Sequence, residues 1–458
     1  MRTSNTIEGY VPLSQKISYS ISCAGGNLVS TVISMFVSAY MTDSVGVAAA
    51  TVGTMMLISR FLDLGTDFIV GSLVDKTHTK YGKTRPWILA SAPLVCLFMF
   101  MFFSTPMSWS LSGKVVYCCI LYLLVNAVSF TIFVIPHTAL LSRITLNAIE
   151  RQKIASMSQI LNQVAAILVV MFFVPMVSLI GYRWTALAYG ILAAVMIAFG
   201  FFGTKEMIDD NSENDSKKNA ENQVPFKKAI CYIAKNKYFW LELMLFCLTI
   251  LISSSSLTVS YYYCAYIFND PNKVGILSVC TVIPAIIMNM FLAKFIEKFG
   301  RKRILVLSAI GILVSCIIMG IFSNSIVIVC AMYGVKGFFM GGLFACCYAL
   351  SGDVIDYNEW KYGVRTEGLV NAGVSIGQKL GVGLGPAIAT WILGVGGYDG
   401  LVATQTASAL RSISFSFSYL SAIFAGIMIF VGLAYDMDKY SAQMQRELTA
   451  KHKSASDL

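Results

Sequence analysis

The sequence predicts an all-α membrane protein: twelve transmembrane helices in two pseudo-symmetric six-helix bundles. Three observations carry that expectation. The first is composition: of 458 residues, 57% are hydrophobic and only 13% charged, with a mean hydropathy of +0.70. Such a chain is too apolar for a soluble domain of that length. The second is that apolar windows of about 20 residues, the length a bilayer requires, recur from end to end. The third is where the basic residues fall between those windows.

The opening stretch MRTSNTIEGYVPLSQ lacks a short apolar core followed by a small-residue cleavage site, so no removable signal peptide is read. The first span, 17–41, then serves as the uncleaved insertion signal. Spans follow at 46–74, 87–105, 114–141, 155–180 and 184–203, closing an N-terminal bundle over 1–203. Residues 204–237 contain DDNSENDSKKNAENQ, a polar run that cannot bury a core and reads as a flexible cytoplasmic linker. A second bundle with a cytoplasmic tail, 238–458, holds spans 239–267, 274–296, 304–322, 326–351, 367–394 and 411–435. Several are nearer thirty residues than twenty, so they tilt or project beyond the hydrocarbon.

Cytoplasmic loops retain Lys and Arg during insertion, and the 34 basic residues follow this plan closely. Only Lys114, Arg183, Lys273 and Arg411 fall in the opposite loops, and only Arg60, Lys336 and Lys379 inside spans. Both termini are therefore expected in the cytoplasm of a cell (inner or plasma) membrane. The net charge of +10 follows from this retention and calls for no nucleic-acid partner. The halves also echo one another: GSLVDKTHTKYGKTR (Gly71 to Arg85) follows the second span and AKFIEKFGRKR (Ala293 to Arg303) the eighth. In each, an acid closes the helix and a glycine and a basic cluster follow.

Twelve cysteines lie in apolar runs, for example Cys118, Cys119, Cys346 and Cys347, with no CxxC pair and no histidine at ligand spacing. They read as buried free thiols without a metal or other cofactor. His78 and His452 lie in polar segments, and His137 reads as a core or lumen-facing residue.

The intramembrane charges raise the functional question. Asp63 and Asp67 stand at i and i+4, on one helical face. An ionised Asp near the bilayer centre costs at least about 2.5 kcal/mol, and two on one stripe repel unless a cation, a proton or a basic partner intervenes. Three readings are open: Arg60 neutralises an inert network; the pair, with Thr66 and a hydroxyl from another helix, binds a small cation or a proton; or the acids are catalytic. The last lacks an accompanying nucleophile, metal cluster or phosphate loop. Asp75 continues the stripe to the helix end, as a gate charge or a solvated one. Lys379, in SIGQKLGVGLGPAIA, is expected to face a cavity; Lys336 reads as a packing lysine. In SGDVIDYNEWKYGVRTEG (Ser351 to Gly368), Asp353, Asp356, Glu359, Arg365 and Glu367 supply charges opposite to the basic loops, Arg85 among them, as gate ion pairs or as solvated charges. Tyr261, Tyr262, Tyr263 and Phe344 are candidates to stack on a sugar ring.

Four blocks in both halves carry a resemblance: RFLDLGTDFIVGSLVDKTHTKYGKTRPW, IPHTALLSRITLNAIERQKIAS, DVIDYNEWKYGVRTEGL and GQKLGVGLG. The chain resembles the glycoside-pentoside-hexuronide:cation symporters of the melibiose permease type, in the major facilitator superfamily. The resemblance implies a major facilitator fold and a secondary active symporter, not an enzyme, coupling Na+ or H+ entry to uptake of a sugar, glycoside or uronide. It implies that Asp63 and Asp67 bind the coupling ion together with Thr131, with Thr66 standing where the family has Asn. Lys379 and Phe344 match the family's helix 11 Lys and helix 10 aromatic. Asn27, Val134, Thr138 and Gln159 depart from the sugar-binding Asp, Asp, Trp and Arg of the melibiose permease. Losing that charged clamp argues against melibiose, while Asn27 and Gln159 still hydrogen-bond hydroxyls. The rival readings are a lysolipid-type amphiphile as cargo and a non-transporting sensor. A small-molecule substrate and the lipid bilayer are the expected partners of a monomer.

Overall fold

The computed structural model describes residues 10–77, 79–145, 147–206, 232–362, 367–402, 404–437, 439–440, 443–444 and 447. Twelve long helices account for their regular structure, with no strand among the described residues. They are α1 Leu13–Ser44, α2 Ala49–Asp75, α3 Arg85–Phe102, α4 Leu111–Ile144, α5 148–180, α6 182–202, α7 Lys237–Tyr266, α8 Lys273–Phe299, α9 Arg301–Ile321, α10 Ile326–Tyr362, α11 Glu367–Val395 and α12 Ala407–Ala434. α5 and α6 form one run, Ala148–Phe202, broken only at Gly181, whose φ of 77° and ψ of 165° lie where an L side chain is strained. Side-chain caps start several helices: Asn147 accepts from the Ile149 and Glu150 amides, and Asn236 from that of Tyr238.

Each expected span falls on one of these helices, several overrunning a helix end by one to three residues, and one helix end differs more. The span at 326–351 continues as helix to Tyr362, so Asp353, Asp356 and Glu359 ride on α10 rather than in a loop. Val354, Ile355, Tyr357 and Asn358 are buried there, and Asn358 accepts a hydrogen bond from Asn236 at 2.8 Å. The extension is an amphipathic packing helix; hydropathy measures the part that crosses lipid and misses the rest. Large apolar side chains point outward, Phe68 and Leu179 each 82% exposed, as a surface solvated by lipid requires.

Contacts divide the chain into two compact units, Met1–Glu221 with Asp399–Thr404, and Asn222–Tyr398 with Gln405–Leu458. In the first, α1 packs on α5 and α6, α2 on α4, and α3 on α6. In the second, α7 packs on α11, α8 on α10, and α9 on α12. Each pairing of the first unit thus recurs six helices later. Glycines make the α7–α11 contact close: Gly373, Gly377, Gly381 and Gly385, every fourth residue of α11, face Phe239, the Leu243 carbonyl, Ile250 and Ser254. Met288, Leu292, Ile304 and Cys346 join α8, α9 and α10 in a common core.

Candidate cation and substrate site

The acid pair projects from the middle of α2, which leans on α4. Just before the contact, α4 passes through a π-helical stretch, Leu124–Phe130, that ends at Thr131. Such a bulge inserts a residue and changes which side chain meets the partner helix, as π-bulges at functional sites do. Here it delivers Thr131, 4% exposed, to Asp63, 8% exposed. The Thr131 hydroxyl lies 3.0 Å from Asp63 Oδ1 and 3.4 Å from Asp67 Oδ1, so one donor is shared between both carboxylates. The other Asp63 oxygen, Oδ2, is 3.5 Å from the Arg60 guanidinium, and the buried Tyr122 ring of α4 lies beside Arg60 and Asn126. Thr66 is different: its hydroxyl donates to the Asp63 backbone carbonyl at 3.0 Å. The structure therefore brings together Asp63, Asp67, Thr131 and Arg60, and turns the Thr66 proton back onto its own helix.

The candidate substrate residues are placed less uniformly. Asn27 on α1 is half-buried and donates to the Asn162 carbonyl of α5 at 2.8 Å. Gln159 is exposed, and Phe344 and Lys379 are half-buried on α10 and α11. Tyr262 and Tyr263 are fully buried; Tyr263 stacks on Phe417 at 4.0 Å and donates to the Ser323 carbonyl. These two are packing residues and do not present a ring to a sugar. His137 stacks on Tyr19 at 4.2 Å and is core. Lys336 is 3% exposed, its ammonium 2.5 Å from Ser256 Oγ and 3.0 Å from Ser421 Oγ.

Of the candidate gate charges, Arg85 donates to the Phe201 and Tyr81 carbonyls and lies over the Phe201 ring, tying α3 to α6. Asp353 pairs with Arg301 at the head of α9. Asp75 is exposed with no ion pair among the described residues. Asp356 is half-buried and Glu359 buried on α10. Arg365, the Glu367 side chain, His78, His452 and most of the linker lie outside the described residues.

Three further acids, on none of which the sequence reading places a role, are held at helix ends or inside a helix. Glu206, just after α6, accepts from the Lys83, Thr84 and Arg85 amides and the Thr84 hydroxyl, and pairs with Arg143 of α4 at 3.4 Å. It caps α3 and closes the basic α2–α3 loop. The second unit has a counterpart in Asp436, after α12, bound to Lys302 at 2.6 Å. That hydrogen bond holds the Asp436 carboxyl below its ordinary range. Glu242 of α7 is the third; it is legible as a lone acid in the apolar run FWLELMLF.

Comparison with known proteins gives the family and the fold. The chain is 28% identical to the isoprimeverose transporter of Lactiplantibacillus pentosus, over 96% of this chain and 92% of that one. It is 26% identical to a putative glycoside/cation symporter of Escherichia coli, over 92% and 91%. Its fold matches an inward-facing bacterial homologue of the lysosomal transporter Spinster with a TM-score of 0.67, at 11% identity, over 93% and 99% of the two chains. It also matches a D-xylose-proton symporter with a TM-score of 0.62, at 13% identity, over 92% and 96%. The profile of the family described as MFS/sugar transport protein matches residues 18–439, so this chain, a multi-pass membrane transporter rather than an enzyme, belongs to that family.

Proposed function

We propose that the protein is a secondary active symporter that couples inward movement of Na+ or H+ to uptake of a sugar, glycoside or uronide by alternating access, with both termini in the cytoplasm. One observation carries the cation assignment: Thr131 of α4 bridges the two α2 carboxylates at 3.0 and 3.4 Å. Two acids and a hydroxyl facing one point make an oxygen-only, anionic site, which suits a hard cation or a proton. Without the ion, Arg60 at 3.5 Å supplies the balancing charge to Asp63. When the ion arrives it takes over that role and joins α2 to α4 without the repulsion the bare pair carries. Closure around substrate is then favoured only when the acids are neutralised, which is the linkage a symporter needs. One charge moving through about 100 mV supplies about 2.3 kcal/mol, enough for about 50-fold accumulation.

The relatives favour a glycoside cargo, so isoprimeverose heads the substrate panel. Uptake of labelled glycosides into membrane vesicles, with a Na+ gradient, an H+ gradient or neither, is the direct test. Stimulation by one gradient, lost in Asp63→Asn and Asp67→Asn, is the expected result and names the ion. Gradient-driven uptake unchanged in both variants overturns the assignment.

A further inference from the structure

Glu242 lies in the first turns of α7, is 1% exposed, and stands outside the acid pair's half of the chain. Its Oε1 is 2.5 Å from Ser351 Oγ on α10. Its Oε2 is sealed from solvent and has no hydrogen-bond donor. No Lys or Arg among the described residues lies within ion-pair distance of it. An ionised carboxylate so placed carries the full cost of an unpaired buried charge. A neutral carboxyl removes that charge: the acid proton goes to the Ser351 hydroxyl, and Oε2 becomes a carbonyl oxygen, far cheaper to leave bare.

We propose that Glu242 is a proton-binding site of the second half, holding one H+ while α7 and α10 are closed upon each other at this end. The Glu242–Ser351 bond ties the two helices directly. Two residues beyond Ser351, Asp353 holds Arg301 at the head of α9, so one turn of α10 carries both contacts. When α7 and α10 part, water reaches the carboxyl, solvates its anion and takes the proton. The titratable groups bearing on Glu242 are Asp353 and Cys347 of α10. α11 meets this part of α7 through Gly373 and Gly377, with Lys379 farther along. α12 leads to Tyr435, packed on Tyr238, and then Asp436; among the described residues α8 brings no charge within ion-pair distance of Glu242.

This proton is separate from the ion proposed at Asp63 and Asp67, and the experiment keeps the two apart. Infrared spectra of the purified full-length protein in liposomes at neutral pH, in H2O and D2O, show a buried carboxyl as a C=O band that shifts on deuteration. Glu242→Gln, nearly isosteric with the neutral acid, is expected to lack one such band that wild type, Asp63→Asn and Asp67→Asn retain. Should Glu242→Gln fail to fold, Ser351→Ala decides, because loss of the hydroxyl partner moves the frequency of a Glu242 band. A carboxyl spectrum unchanged by Glu242→Gln, or in its absence by Ser351→Ala, overturns the proposal whatever the transport assay gives.

Discussion

At the scale of single residues, the site turns on one hydroxyl. Thr131 Oγ1 lies within hydrogen-bond distance of both carboxylates, and a hydrogen bond to a charged group contributes about 1.5–3 kcal/mol. Thr131→Val is therefore expected to weaken apparent cation affinity about 10- to 100-fold, and Thr131→Ser to stay close to wild type; uptake rate against cation concentration measures both. Lys336 makes the opposite case. Its partners Ser256 and Ser421 already bond each other at 3.1 Å, and Ser256 also donates to the Ile252 carbonyl, so removing the ammonium strands no polar group. Replacing a buried charge by an apolar side chain of similar volume is commonly neutral or stabilising. Lys336→Met should match or exceed wild type in thermal unfolding while Lys336→Ala, which leaves a cavity, falls below it. The acids and their spacing were readable in the sequence because charge inside an apolar run is conspicuous. The direction of the Thr66 hydroxyl was not readable, because a threonine in a helix can bond either its own carbonyl or a neighbour, and only packing decides.

Individual elements are set by hydropathy at their centres and by backbone chemistry at their ends. Span centres were legible for all twelve helices; the overrun of α10 to Tyr362 was not, since its last turns alternate buried Val354 and Tyr357 with charge. The break between α5 and α6 rests on a single residue. A Cβ at Gly181 would touch nothing, yet its φ of 77° is one that L residues rarely hold. Gly181→Ala should then cost about 1–3 kcal/mol through backbone strain alone. Helical Gly65, also with open space around its Cβ, is the control: Gly65→Ala should be neutral or gain about 0.5–1 kcal/mol. The glycine stripe of α11 fails for another reason. A Cβ at Gly381 would stand 2.6 Å from Ile250 Cβ and 2.8 Å from the Cys247 carbonyl, positions that yield only if the helices separate. Gly381→Ala should lower the unfolding temperature, and Gly381→Val more so, in a detergent thermal-shift series.

For the whole molecule, the sequence repeat disclosed one pair of basic loops, whereas the structure extends the repeat to helix pairings and to the clips that end each half, Glu206 on α3 and Asp436 on Lys302. Those relations lie between side chains distant in sequence, so neither hydropathy nor charge counting reaches them. Their consequence is mechanical: each half holds together through its own contacts, and ligands act by biasing which arrangement of the chain is populated. A cation that neutralises Asp63 and Asp67 helps the sugar only by its differential affinity for the sugar-competent state. Reciprocity then fixes a number that transport rates alone do not give. The factor by which saturating cation tightens sugar binding must equal the factor by which saturating sugar tightens cation binding. For couplings of 1–3 kcal/mol that factor is about 5- to 150-fold. Calorimetric titration of the purified protein in both orders, with the sugar and ion identified by the uptake panel, should return equal factors. In Asp67→Asn both should collapse toward one while sugar binding itself survives, because the substitution removes the linkage and leaves the sugar contacts in place. Unequal factors at equilibrium would mean that a further ligand, such as the proton assigned to Glu242, exchanges in one titration and not in the other, and repeating both at a second pH would expose it.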